Sequence, residues 1–527
     1  MTTGAWTQAA SLEALKRKGR LVFRKAGRQI ALFDTPRGVL ACNNRCPHEG
    51  YPLREGNLDG RCILTCNWHN WKFDLPTGRN LYGGEGLRTY PVEIRDGEVW
   101  VDLEDPPFAE RRAEILASLA EAREDNSYDR MAREIARLHR LGADPLDALR
   151  DAIRWSAERM EFGWTHAYAG AADWLALHDE NEGDDETRLA CVLESVAHIA
   201  DDVLREPRHP FPDAVRPWNE EAFVSAVEAE DEGAAVALLR GGLAAGLGFA
   251  DIERGLTRAA LAHYNDFGHS LIYVTKAERL IERLGREVAE PVLLSLARGL
   301  VFATREDLIP EFRGYAKALD QWGRAKKGLE PACADWSGLG IEKALASAAA
   351  SSTAPPMRLF HALLGANARN LLTFDDGHQD RVRVPIADNV GWLSFTHAIT
   401  FANAVRLQCT RFPELWPAAL LQMACFSGRN APYATGGDDA SWRVDDADAF
   451  LEGAVERLYD HGAGEFIVSV HLLKTVLATR EEIRAEPPPE VADLLAAGLN
   501  RFLNARLKRR QVRRSVYQAM KFVVYDG

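Results

Sequence analysis

The sequence predicts a multidomain chain, a small all-β domain followed by a large all-α domain, and three observations predict it. At 527 residues the chain is too long for one ordinary core. Up to about residue 105 it carries strand-length apolar runs cut by turn signals; from about 109 Ala, Leu, Glu and Arg dominate and apolar residues recur at helical spacing. Hydrophobic residues at 46% and charged ones at 27% exclude a disordered or collagen-like chain.

The elements follow in order. Residues 20–24, 29–33 and 39–42 read as strands, punctuated by turns at Ala26-Gly27-Arg28, Pro36-Arg37-Gly38 and Asp59-Gly60. A last hairpin pairs residues 91–95 with 98–102 about Asp96-Gly97. The break Glu104-Asp105-Pro106-Pro107 sets the predicted domain edge, giving a β domain over 1–107 and a helical domain over 108–527. Helix breaks fall at 207–217, near Pro331, at 351–356, 428–439 and 487–489, with 351–356 a candidate sub-boundary. Two themes recur in the helical part. Ala303-Thr304-Arg305-Glu306-Asp307-Leu308 returns as residues 478–483, and an aromatic residue shortly before a histidine appears at Trp164/His166, Phe267/His269, Phe360/His361 and Phe395/His397. Their irregular spacing suggests an old helical-hairpin duplication and not a regular solenoid.

Charge and cysteine usage narrow the function. Acidic residues outnumber basic ones 77 to 64, for a net charge of -13, so nucleic acid is not an expected main partner. There is no apolar run of the roughly 18 residues that a membrane span needs, and residues 1–20 lack the apolar core of a secretory signal. Eight cysteines, four within 42–66 and the others at 191, 333, 409 and 425, do not make a disulfide scaffold, and a reducing cytoplasm is expected.

Two short segments carry the strongest signal. Cys46-Pro47-His48 and Cys66-Asn67-Trp68-His69 each offer one thiol and one imidazole, with 17 residues between His48 and Cys66. In a [2Fe–2S] cluster of mixed ligation, two thiolates hold one iron and two imidazoles the other. Two loops brought together by a small sheet would clamp such a cluster from opposite sides, with the imidazole edge near solvent. Cys42, Cys46, Cys62 and Cys66 also form a set that structural zinc could use. Zinc pairs usually sit two residues apart, and that reading leaves both histidines idle, so Cys42 and Cys62 are read as buried thiols.

The pattern resembles the Rieske iron–sulfur domain, in the ferredoxin-like form found with oxygenases, over residues 10–105. Pro47, Gly56, Trp68, Trp71, Phe73, Asp74 and the Thr77-Gly78 turn stand where such domains carry similar residues. The resemblance implies a [2Fe–2S] cofactor held by Cys46, His48, Cys66 and His69. It also implies a lower potential, because Tyr51 and Trp68 occupy the places of a cysteine pair that forms a disulfide in high-potential members. Asn70 replaces a commoner glycine and is expected to crowd the loop.

Of 14 histidines, 12 lie outside these segments. Oxygenases with this domain usually hold a mononuclear iron through an Asp-x2-His-x4-His signature on a β-rich domain. His263 and His269 have five residues between them, and Ala260 stands where Asp is wanted, so that layout is rejected. A different site is read instead, one or two iron ions drawn from His166, Glu194, His198, His263, Asp266, His269, His361, His397 and His471. Small residues after the histidines (Ala167, Ala169, Ser270, Ala362, Ala398) would let helices approach closely. The competing reading makes these histidines core residues bonded to backbone. The layout is similar to helical proteins of the questin-oxidase type, oxygenases acting on polycyclic aromatics.

Other features are less specific. Residues 241–248 are glycine-rich but lack a preceding strand and a lysine, so they read as a helix junction. With no flavin or nicotinamide site legible, an external reductase or ferredoxin is the expected electron donor. The tail from 501 to 521 carries eight basic residues and no acidic one, and is expected to dock on the chain's own acidic surface. The reading is a Rieske-type iron–sulfur oxidoreductase passing electrons to iron in the helical domain, for oxygenation of a hydrophobic or aromatic small molecule. The alternative is an electron-transfer or redox-sensing protein whose helical domain binds a ligand or partner and carries no metal. Neither nucleic acid nor a membrane is an expected partner.

Overall fold

The structure, a computed structural model, describes residues 6–324, 330–435, 439–507 and 511–525. The chain divides into two compact units, Met1–Ala148 and Leu149–Gly527.

In the first unit, strands β1 (Trp6–Ser11), β2 (Arg20–Lys25), β3 (Arg28–Thr35) and β4 (Gly38–Asn43) are followed by the short β5 (Asn57–Leu58), β6 (Ile63–Thr65), β7 (Lys72–Asp74) and β8 (Asn80–Tyr82). β9 (Thr89–Tyr90), β10 (Val92–Arg95) and β11 (Glu98–Asp102) complete the set. They form three antiparallel sheets, ordered β1-β11-β10, β2-β3-β4-β9 and β5-β6-β7-β8. The expected strands over 20–42 and the hairpin at 96–97 are all present, with Gly27 and Asp96-Gly97 supplying the positive φ that their turns need. β1 and the helix α1 (Leu12–Lys18), capped by Ser11, extend the fold upstream of the strands read from sequence. β1 pairs with β11, whose residues lie far along the chain.

Two apolar cores result. One gathers Ile30, Leu32, Val99 and Val101. The other gathers Phe33, Leu53, Leu64 and Phe73 with the four thiols Cys42, Cys46, Cys62 and Cys66. The last strand ends at Asp102 and the first long helix begins at Phe108, and the compact unit runs on to Ala148, taking in helices α2 (Phe108–Glu124) and α3 (Tyr128–Leu141). A buried carboxylate accounts for this. Glu85, in the loop after β8, bonds Arg133 Nε at 2.5 Å and Arg137 at 3.3 Å, both on α3, and a buried charge needs such partners.

Among the described residues of the second unit every named element is a helix or a 3-10 turn, with one isolated antiparallel bridge between Asn265 and Arg305. Residues 351–356 form a turn between the helices Ile341–Ala350 and Pro356–Leu372, inside this one unit. The glycine-rich 241–248 joins the helices Glu232–Ala244 and Phe249–Leu261. The sequence recurrence at 303–308 and 478–483 has no structural counterpart. The first copy leads into the 3-10 turn Glu306–Leu308, while the second lies inside the helix Phe466–Arg484.

Candidate metal centres

In the first unit the two ligand-bearing loops share one backbone frame. The Cys46 N–H donates to the Tyr51 carbonyl at 2.9 Å, and the Gly50 N–H returns a bond to the Cys46 carbonyl at 2.8 Å. Correspondingly, Cys66 N–H donates to the Trp71 carbonyl at 2.8 Å and Asn70 N–H to the Cys66 carbonyl at 3.0 Å. Gly50 and Asn70 occupy the same left-handed place, at φ +76° and +60°. Asparagine is among the side chains that tolerate it, so Asn70 closes the loop and does not crowd it.

The frame turns two thiols inward and two imidazoles outward. Cys46 and Cys66 are buried neighbours, and burial, with a smaller contribution from Cys66, pushes the Cys46 thiol up to about 12. The Nδ1 atoms of His48 and His69 lie 3.2 Å apart, their rings partly open to solvent. Trp71 stacks on His48 with centroids 4.7 Å apart, and Trp68 on His69 at 4.9 Å. The Arg20 guanidinium braces the fold beneath by donating to the Arg54 and Gly56 carbonyls at 2.8 Å. Two adjacent thiols beside two nitrogens about one coordination edge apart fit a cluster with one sulfur-held and one nitrogen-held iron. The zinc alternative loses ground, since among the described residues no three thiols bring their sulfurs together. All eight cysteines are free thiols, in keeping with Tyr51 and Trp68 standing where a disulfide would form.

In the second unit four histidines from four helices meet. His166 and His269 open the helices His166–Glu180 and His269–Leu284, while His397 and His471 lie inside Trp392–Arg411 and Phe466–Arg484. His269 Nε2 is 3.2 Å from His166 Nε2 and 2.8 Å from His397 Nε2, and His471 Nε2 is 3.4 Å from His397 Nε2. Nitrogens bound to one small ion at about 2.0–2.1 Å would sit about 3.3 Å apart in a tetrahedron, close to these separations. The far side of three rings has an acceptor. His397 Nδ1 donates to the Leu393 carbonyl at 2.7 Å, His471 Nδ1 to the Ile467 carbonyl at 2.6 Å, and His269 Nδ1 faces Asp266 Oδ2 at 3.7 Å. A proton held at Nδ1 leaves the Nε2 lone pair free for an ion. Burial first, then the positive Lys474, holds His166, His397 and His471 well below the ordinary histidine value, so these imidazoles are neutral at pH 7.

The turn before His269 is strained. Asp266, Phe267 and Gly268 are all left-handed, at φ +50°, +52° and +76°. Its surroundings hold it. Asp266 N–H donates to the Thr304 carbonyl at 2.9 Å, Phe267 N–H to Glu306 at 3.2 Å, and the Arg429 guanidinium lies 3.8 Å over the Phe267 ring. Such strain concentrates at functional sites. A cavity of about 410 Å³ opens onto His166 and His269, walled by Phe162, Trp164, Tyr273 and Phe302.

The other candidates lie outside this group. Glu194 pairs with His461 at 3.1 Å, and His198 faces Asp202 at 3.5 Å and stacks on Phe466. His263 is held by Asp307, Glu228 and Arg305 at 2.8–3.1 Å. His361 lies half-buried against Phe360. Sequence reading missed Lys474, three residues after His471 in an apolar run. Its buried ammonium has no hydrogen-bond partner, and burial pulls its pKa down to about 7. A lysine in so apolar a run was the available signal.

A family model for the Rieske [2Fe–2S] domain matches residues 5–87. The ferredoxin component of a naphthalene 1,2-dioxygenase system from Pseudomonas aeruginosa is 32% identical over 103 residues, which is 19% of this chain and 98% of that protein. A 4beta-methylsterol monooxygenase from Methylococcus capsulatus is 38% identical over 96 residues, 16% of this chain, and the match spans only 26% of that protein. Among solved structures, dicamba monooxygenase bound to dicamba is 29% identical, with 20% of this chain and 34% of that one covered and a TM-score of 0.18.

Proposed function

The chain belongs to the Rieske [2Fe–2S] family through its N-terminal domain, and from that premise we propose an oxygenase that feeds electrons through this domain to a histidine-held iron in the helical unit. Cys46 and Cys66 would hold one iron of the cluster, His48 and His69 the other. When bound, the cluster supplies reversible one-electron storage. His166, His269, His397 and His471 would hold an iron, which would supply a site for the reduction of dioxygen. The overall change is hydroxylation: one oxygen atom enters a C–H bond, the other leaves as water, and two electrons and two protons are consumed. An external reductase or ferredoxin would give the electrons singly.

This chain's own residues prepare each step. Trp71 and Trp68 cover the faces of His48 and His69 while leaving ring edges open to a donor. The Leu393 and Ile467 carbonyls fix the tautomers of His397 and His471. The aromatic side chains Phe162, Trp164, Tyr273 and Phe302 on the cavity wall would offer a flat apolar surface to a hydrophobic or aromatic substrate beside His166 and His269. Joining donor domain and acceptor in one chain raises their effective concentration.

The observation that carries this reading is the convergence of imidazole nitrogens from helices far apart in sequence. Its test is metal per chain on protein purified without oxygen. The cluster accounts for two irons, so at least about three are expected, falling back to about two in His397→Ala with the cluster's visible spectrum kept. Two irons in the unaltered chain would remove the helical site and leave the electron-transfer alternative. Zinc without iron would remove the cluster as well.

A further inference from the structure

The cavity beside His166 and His269 gathers aromatic rings from three stretches of the helical unit. Phe162 and Trp164 precede the helix His166–Glu180, Tyr273 lies inside His269–Leu284, and Phe302 follows Ala289–Val301. The rings meet at an angle. Phe162 and Phe302 stand nearly perpendicular with centroids 5.8 Å apart, and Trp164 and Tyr273 are tilted by 41° at 5.5 Å. Phe162 and Phe302 are 64% and 48% exposed, which puts them at the mouth, while Trp164 and Tyr273 are buried.

The charge on the lining has one sign. Apart from the imidazoles, Asp266 is the one ionisable group of low pKa there, and neither lysine nor arginine lines the cavity. Among the described residues no donor bonds the Asp266 carboxylate; His269 Nδ1, at 3.7 Å, is beyond hydrogen-bond reach. Arg429 is engaged elsewhere, by Glu306 at 3.2 Å and by the Phe267 ring. The left-handed backbone at Asp266, φ +50°, holds this unpaired carboxylate at the cavity.

We propose that the cavity is a cation cage and that its ligand carries a methylated ammonium head, with Asp266 facing the positive charge and Phe162, Trp164, Tyr273 and Phe302 against the N-methyl groups. A bare ammonium has three donors to satisfy, more than one carboxylate and a set of rings can meet. A methylated head spreads its charge over carbon and asks for ring faces instead. An anionic head would meet the Asp266 carboxylate with no basic side chain to offset it. The cavity volume of about 410 Å³ suits a small molecule of this kind. Only the role of this ligand as substrate rests on the oxygenase reading; the cage itself needs no iron. An iron at the imidazoles would add positive charge nearby, so the metal-free chain should hold the cation more tightly than the loaded one.

The test is calorimetric titration of the full chain with choline and with its neutral carbon analogue, which has a tert-butyl group in place of trimethylammonium. Choline is expected to bind about tenfold more tightly. Asp266→Asn should remove most of that preference, since asparagine also accepts left-handed backbone and keeps the turn. Phe302→Leu, at an exposed position, should weaken choline about threefold and leave the neutral analogue unchanged, and Phe302→Tyr should restore choline binding. Unaltered affinity for the neutral analogue shows that each variant keeps the cavity. No preference for choline in the unaltered chain would overturn the cage, as would a preference that survives both Asp266→Asn and Phe302→Leu. Iron per chain separates this from the oxygenase reading: about two irons with the preference intact would remove the oxygenase and keep the cage, whereas about three with no preference would remove the cage and keep the oxygenase.

Discussion

Lys474 sets a measurable cost on the helical core. Its ammonium is buried without a hydrogen-bond partner, and burial brings its folded pKa from 10.5 to about 7. Between about pH 7 and 10.5 the unfolded chain therefore holds a proton that the folded chain has released, so stability rises with pH across that window and the full penalty applies below it. Buried thiols such as Cys46 act in the opposite sense above pH 9, where the unfolded thiol ionises first, so pH 7 to 9 is the clean interval. In urea unfolding of metal-free protein followed by circular dichroism, Lys474→Met should gain on the order of a few kcal/mol at pH 7 and lose most of the rise towards pH 9. An unchanged slope in the variant would show that the ammonium is not the source. Asn70 makes the converse point at the same scale. Its residue type suggested crowding, but its backbone angle, invisible in a spacing pattern, shows why asparagine is accepted there.

At the level of elements, the placement of His269 depends on the turn that precedes it. A Cβ on Gly268 would lie 2.5 Å from the Phe401 ring and would have to adopt φ +76°, whereas one on Gly285, at φ +93°, would meet nothing within 4 Å. Gly268→Ala should cost more than about 1–3 kcal/mol and lose the helical iron while keeping the cluster, and Gly285→Ala should show strain alone. Iron per chain separates the two; equal iron in both variants would mean that the turn does not set the site. The same contrast explains what could be read from sequence. The β2–β4 ladder and the 92–102 hairpin were legible because local turn chemistry fixes them. β1 was not, since its partner is β11 at the other end of the domain. Nothing local to Trp6–Ser11 announces that pairing.

Across the whole molecule, the two candidate centres differ in how they are written. Cys46, His48, Cys66 and His69 fall in two short loops of one small domain, so spacing alone picked them out. The helical set comes from residues separated by 103, 128 and 74 positions, and His263, His361 and His198 look no different in sequence while serving ordinary polar or ring contacts. An ion bound to the folded unit but not to the unfolded chain stabilises by mass action. Removing it with a chelator should therefore lower the melting temperature of the helical transition, and His397→Ala should melt alike with or without chelator. A wild-type melting curve indifferent to chelation would argue against the site. The same wide separation also governs timing during synthesis. His471 leaves the ribosome long after His166, so no growing chain can complete the nitrogen set until the helix Phe466–Arg484 has been made. An iron held by all four nitrogens would therefore be confined to chains that have passed that point, and a product interrupted before it would be spared a half-formed reactive centre.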